Sequence, residues 1–214
     1  MACSERSLGG EPAARRRESL SCILLLMLSV VSCSREPNDE LVFHIDDTLL
    51  GDPYSNETLG ITFRPPLGWS AMPESGLAEI QSRLSGKLDI DEQIRIEPVQ
   101  FFLDQKAGCF CCLSWLKDPG GSPFSPLLLG RYGEVLGRKF PEAQIREARF
   151  RRKAFEFVQY LIIGQETVSL KLIAFGRKDE AFQLDYIVPA TAYHQNAKMI
   201  ESSIGSLEAL AERR

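Results

Sequence analysis

The sequence predicts an α+β domain in which one antiparallel β-sheet is flanked by about three helices as an α/β/α sandwich, preceded by a targeting segment. Three observations carry this. The last third holds four β-rich runs separated by very short breaks, apolar residues recur at three- and four-residue steps in three separate stretches, and a basic-then-apolar segment lies near the start. With 44% hydrophobic and 25% charged residues over 214 positions, the chain folds around a core. Lys+Arg 25 against Asp+Glu 29 gives a net charge of −4, which argues against a general nucleic-acid binder.

From Leu41 onward the pattern is strand-like. Leu41–Ile45 and Gly60–Phe63 are short β-rich runs on either side of a turn-rich Gly51–Asn56, and Pro65-Pro66 stops the second. A helix is predicted after Pro73, with Leu77, Ile80 and Leu84 on one face and Gly86 placed to end it. Ile94–Leu103 and Cys109–Leu116 read as two apolar strands joined by the turn Asp104–Gly108, and Pro119–Pro123 is a loop. A second helix carries Leu128, Tyr132, Val135 and Leu136 and ends near Phe140-Pro141. Ile145–Phe150, Lys153–Ile163, Thr167–Phe175 and Ala181–Val188 follow as strands, with Gly164-Gln165 and Gly176–Asp179 as two of the turns. Breaks this short demand antiparallel neighbours, because a parallel crossover needs about a dozen residues or more. In the last strand Phe182, Leu184, Tyr186 and Val188 alternate with Gln183 and Asp185, so one face is buried and the other more polar. Pro189 then starts a helix whose Tyr193, Ala197, Ile200, Ile204 and Leu207 form a stripe against the sheet.

At the other end, Arg15, Arg16 and Arg17 precede an apolar run from Leu20 to Val31, followed at once by Ser32 and Cys33. That run is shorter than the roughly 20 residues a helix needs to cross a bilayer, so it reads as a cleaved export signal. Val30-Val31-Ser32-Cys33 resembles the bacterial lipoprotein signal motif, with Val30 where Leu is commoner. The resemblance implies cleavage before Cys33 and acylation of that residue, making Cys33 the lipidation site and the first mature residue. It divides the chain into a signal peptide (1–32), a lipidated Cys and tether (33–40) and a single domain (41–214). Met1–Pro12 is long and polar for such a signal, which points to a start codon further in. A mature chain from Cys33 has a net charge of −5, so attachment must come from acyl chains, of which two or three suffice for stable anchoring. Ser34 after the Cys leans toward the outer membrane.

Chemistry-bearing residues are few. Cys109, Cys111 and Cys112 are open to three readings: buried small hydrophobes, a disulfide pair with one thiol left over, or metal or redox chemistry. Strand geometry points Cys112 away from the other two, and no second pair completes a metal site. The basic run Arg146, Arg149, Arg151, Arg152 and Lys153, after Arg138 and Lys139, is either a patch for an anionic partner or, more commonly, a charged protected edge strand. Asp89, Asp91 and Glu92 lack the Gly and distal Glu of a calcium loop and read as a solvated turn. Asn56-Glu57-Thr58 fits a glycosylation sequon that carries no weight in a bacterial lipoprotein. The two histidines, His44 in a predicted strand and His194 at a helix start, stand outside any nucleophile signature, and Asp46-Asp47 beside His44 adds too little. No catalytic, cofactor or metal residue is assigned.

Gly60-Ile61-Thr62-Phe63-Arg64-Pro65-Pro66-Leu67-Gly68-Trp69 resembles the opening of PsbP-like domains. Phe182–Tyr186, leading through Tyr193 to Ile200–Leu207, is similar to their closing strand and helix. This group includes PsbP itself, Ran-binding Mog proteins and DcrB-like lipoproteins. The resemblance implies a helix-sandwiched antiparallel sheet over about residues 58–210 with the first and last helices nearest each other. It implies diverse binding roles without a shared catalytic motif. The expected function is therefore a non-enzymatic, lipid-anchored cell-envelope binding module facing the periplasm or exterior, held at the membrane through acyl chains on Cys33. Its expected partner is an envelope protein or cell-wall component, with no nucleic acid. The alternative, a ligand- or metal-binding accessory of an envelope transporter, predicts a sizeable apolar pocket with convergent polar groups between sheet and helix.

Overall fold

The computed structural model describes residues 43–84, 92–122, 124–176 and 181–210. The lipoprotein motif, Asp89, Asp91, Gly86 and the turn at 177–180 lie outside these residues. In chain order the elements are β1 (Tyr54–Asn56), β2 (Ile61–Phe63), β3 (Ser70–Ala71), α1 (Glu74–Leu84), β4 (Arg95–Asp104), β5 (Cys109–Lys117) and α2 (Leu129–Lys139). They continue as β6 (Gln144–Arg152), β7 (Phe155–Ile163), β8 (Thr167–Phe175), β9 (Ala181–Pro189), α3 (Tyr193–Gly205) and β10 (Glu208–Ala209). The main sheet has the order β3-β4-β5-β9-β8-β7-β6, every pair antiparallel, and a small sheet has the order β1-β2-β10.

Strand periodicity divides the core in two. Cys111, Leu113, Leu172, Phe182, Leu184 and Tyr186 point to the face covered by α3 and the small sheet. Leu116, Val158, Tyr160, Ile162, Ile173 and Ala181 point to the opposite face, against Tyr132, Val135 and Leu136 of α2. The predicted α+β sandwich with three helices is therefore the observed architecture. Serines fasten α3 to its face: Ser203 Oγ and Tyr186 Oη lie 3.0 Å apart, Ser203 Oγ donates to Arg64 O at 2.7 Å, and Arg64 N donates to Ser206 Oγ at 2.8 Å. The two segments that carry the PsbP resemblance are thus hydrogen-bonded to each other.

Three sequence expectations fail. Phe43–Ile45 is not a strand: the Phe43 ring packs at a tilt against Phe150 with centroids 5.5 Å apart, and a Cβ on Gly205 would come within 2.9 Å of Ile45, so this segment lies along α3 instead of pairing with a sheet. Tyr54–Asn56, read as turn, is β1, because Ser55 and Thr62 hydroxyls bond across the pair at 3.0 Å and Tyr54 meets Phe63 edge-on. The first and last helices are not neighbours. Ile80 of α1 borders the same space as Leu136 of α2, on the face opposite α3, because α1 follows an edge strand that delivers it there.

Asp46 secures the entering chain. Its carboxylate accepts from Thr48 Oγ1 at 2.6 Å and from Lys198 Nζ of α3 at 2.9 Å, while its N–H donates to Ser202 Oγ at 3.2 Å. The Thr48 hydrogen bond first, then the one from Lys198, lowers the Asp46 pKa from 3.8 to about 2. A carboxyl depressed on folding stabilises above its unfolded pKa and loses that contribution as pH falls through the folded value. The contacts of the Asp46 carboxylate with Thr48 and Lys198 are therefore expected to weaken as pH falls from 3.8 toward about 2, followed through the Asp46 and Thr48 amide resonances. Resonances unchanged to pH 2, or the same titration in Asp46→Asn, would refute this linkage.

Candidate binding cavity

β4 contains the local irregularity that shapes the site. Pro98 pairs with Ser114 but Gln100 with Leu113, so Val99 is an extra residue opposite the β5 ladder. Pro98 cannot donate to a ladder and is tolerated at such a bulge. Ile96 and Phe101 are separated by an odd step and would face opposite ways in a regular strand. The bulge brings both to the face that carries Cys112 and Ser114.

There α1, the C-terminal turn of α2 and the sheet border a half-open cavity of about 480 Å³, within the usual size range of small-molecule sites. Its walls are apolar: Met72 and Ile80 on the α1 side, Leu136 and Phe140 on the α2 side, Phe101 and Phe110 from β4 and β5. Its floor is polar. Register places Cys112 beside Asp185 and Asp185 beside Lys171, with Ser114 beside Gln183 in the next row. All are withdrawn from solvent: Ser114 is 1% exposed, Gln183 2%, and Lys171 and Asp185 9% each.

The polar atoms are organised. Lys171 Nζ donates to Asp185 Oδ2, Ser169 Oγ donates to Asp185 Oδ1 at 2.8 Å, and Tyr132 Oη of α2 donates to Gln183 Oε1. Cys112 Sγ and Ser114 Oγ lie 3.1 Å apart. Burial pushes the Cys112 thiol up to about 12, with the Ser114 contact pulling it slightly back. Burial also raises Cys111 and Cys109. Each of these thiols is free and buried, with Cys112 on the cavity face and Cys109 and Cys111 in the opposite core, as strand geometry predicted. A thiol held neutral at physiological pH is a poor nucleophile and a poor metal ligand.

The remaining sequence candidates do not converge here. β6 is an edge strand, as its charges suggested, and the cations on it and in the turn that follows are largely engaged nearby. Arg149 pairs with Glu147 at 2.8 Å, Arg151 with Glu156, Lys153 with Glu208, and Arg152 lies over the Phe43 ring at 5.3 Å. Lys139 alone of the basic candidates reaches the cavity, at its exposed rim. His194 is exposed on the first turn of α3, and His44 borders a separate groove of about 390 Å³ between α3 and the β6–β8 region. Glu92 is exposed in a turn. Among the described residues no three His, Cys, Asp or Glu side chains converge as a metal centre would require.

Sequence reading missed Lys171, Ser114 and the role of Asp185 and Gln183, whose strand face it took only as the more polar one. A usable signal existed in the hairpin β8–β9: Lys171 and Asp185 are four residues before and after the closing pair Phe175 and Ala181, so opposite charges fall in register.

No family model matches the chain, and no curated protein matches it. Among solved structures it is similar to cyanobacterial PsbP (CyanoP) from Synechocystis sp. PCC 6803, known from a solution structure. That likeness has 12% sequence identity and a TM-score of 0.49, and covers 74% of this chain and 91% of that one.

Proposed function

We propose that this chain is a lipid-anchored cell-envelope protein whose α+β domain is a non-enzymatic binding module, with the cavity beneath α1 and α2 as its ligand site. The observation that carries the reading is the combination of apolar walls with a small, ordered set of polar groups on the floor, the arrangement that retains and orients a mostly apolar small molecule. A binding role is favoured over catalysis because the floor groups are engaged with each other. Lys171 is held by Asp185, and the Cys112 thiol is far from ionised at neutral pH. Anchoring is supported by Val30-Val31-Ser32-Cys33 and by the polar tether that follows. Acyl chains on Cys33 would hold the domain close to membrane-bound partners or to ligands delivered from the bilayer, raising their effective concentration.

Two measurements test the two halves. Cys33→Ala should move the protein from the detergent phase to the aqueous phase of a phase-partitioning assay, and continued detergent partitioning would refute anchoring through that residue. Binding is read with N-phenyl-1-naphthylamine, an uncharged aromatic probe, titrated into the full chain carrying Cys33→Ala. Its ring currents should move the δ1-methyl resonances of Ile80, Ile96 and Ile187, which line the cavity, and leave Ile204 in the opposite core in place. Saturating shifts absent from those three methyls would sink the cavity as a ligand site.

A further inference from the structure

The floor of the cavity has a directional bias in its hydrogen bonding. Each carboxylate and amide oxygen of the floor already accepts one hydrogen bond: Asp185 Oδ2 from Lys171, Asp185 Oδ1 from Ser169, and Gln183 Oε1 from Tyr132, while Ser114 Oγ shares one with Cys112 Sγ. The donors are not used up. An ammonium has three N–H groups, and Lys171 directs one at Asp185; an amide has two, and Gln183 Nε2 meets no acceptor among the described residues. Both residues line the cavity and are withdrawn from solvent, Gln183 at 2% exposed and Lys171 at 9%. The floor therefore offers N–H groups and asks for an acceptor.

Charge narrows the ligand further. Lys171 and Asp185 cancel, so the floor has no net charge to offset that of an incoming ion, and Lys139, the other charged residue lining the cavity, stands in solvent at the rim. A carboxylate brought to Lys171 would lie beside Asp185 and repel it, and an ammonium brought to Asp185 would meet Lys171. Either would also lose its hydration among Phe101, Phe110, Leu136 and Ile187. A neutral carbonyl avoids both penalties and still accepts a charge-assisted bond from the ammonium. Resting on the binding-module reading above, we propose that the cavity selects an uncharged, mostly apolar molecule bearing a carbonyl acceptor of the ketone or ester kind, seated over Lys171 and Gln183, and discriminates against ionised amphiphiles of the same chain length.

The test uses the full chain with Cys33→Ala and the naphthylamine probe, displaced by 2-decanone, decanoate or decylammonium. Half-displacement by 2-decanone should need about tenfold less ligand than by either ion, reflecting the burial cost of a charge without a counter-charge. Gln183→Met combined with Tyr132→Phe, which removes the amide donor and the hydroxyl bonded to it without adding a charge, should lower the affinity for 2-decanone relative to that for the probe about fivefold, the scale of one lost hydrogen bond. Independently of any variant, carbonyl-¹³C 2-decanone bound to the parent chain should resonate downfield of its position in hexane, as a hydrogen-bonded carbonyl does. A hexane-like shift, or displacement by either ion as effective as by the ketone, overturns the proposal while probe binding leaves the cavity reading intact. Failure of the probe to bind overturns both.

Discussion

Asp185→Leu is expected to destabilise the protein by about 3–5 kcal/mol, because it leaves the Lys171 ammonium buried without its counter-ion. In the native floor the side chains of Lys171 and Asp185 are 11% and 12% exposed, and Ser169 adds a second contact to the carboxylate. The attraction between the two ions offsets two desolvation costs, so removing one partner exposes the other cost in full. Removing both does not. Lys171→Met combined with Asp185→Leu should recover most of the loss and end within about 1 kcal/mol of the parent, since an apolar pair can replace a buried ion pair at little net cost. Urea unfolding of the parent, the single and the double variant measures this directly. A single variant as stable as the parent would mean that Lys171 finds another anion or reaches water, and the organised floor would not exist as described. The double variant has a second use: it should still bind the naphthylamine probe but lose its preference for 2-decanone, separating the stability of the floor from its selectivity.

Phe102→Ala is expected to cost about 3–5 kcal/mol, the range for truncating a buried aromatic side chain. Its consequence should be concentrated on one part of the fold. Phe102 of β4 is 1% exposed and lies 5.1 Å from Tyr54 and 5.3 Å from Phe63, both at near-perpendicular ring angles, while Tyr54 and Phe63 are 5.9 Å apart. The three rings join the small sheet to the main one. Edge-to-face pairs contribute roughly 0.5–1.5 kcal/mol beyond their area, so Phe102 loses two such contacts as well as its burial. Hydrogen exchange should show the amides of β2 opening at lower cost than those of β8 and β9 in the variant. Equal loss across both sheets would place the aromatic cluster in the common core and refute its role as a joint.

Much of the main sheet was readable from the sequence because its turns are short and its apolar residues alternate. Thr167–Phe175 has the observed bounds of β8, and the turn before Cys109 is set by local chemistry. Asp104 Oδ1 accepts from the N–H groups of Lys106 and Ala107, and Gly108 takes φ +66°, a region that favours glycine. Phe43–Ile45 was not readable: three β-favouring residues in a row say nothing about whether an open sheet edge is within reach, and here the nearest partner is the Gly205 surface of α3. The placement of α1 was equally hidden, because an amphipathic stripe specifies that a helix packs but not which face of a sheet receives it. For the site the obstacle was a correct observation with an incomplete meaning. Gln183 and Asp185 do mark the more polar face of β9, and polarity in an antiparallel strand ordinarily means solvent. Only the two helices laid over that face turn those polar side chains into an enclosed floor, and that depends on contacts between residues far apart in the chain.

Val99 shows how little coding change separates an open cavity from a filled one. Deleting that codon would restore an uninterrupted ladder between β4 and β5 while leaving every other amino acid in place. One half of β4 would have to rotate by a pleat relative to the other, exchanging the wall formed by Ile96 or by Phe101 and Leu103 for side chains now turned to the opposite face. The chemical identity of the pocket lies in β5, β8 and β9, but its volume depends on a single-residue insertion in a neighbouring strand. Two such proteins could therefore share the same polar floor and differ wholly in what fits above it.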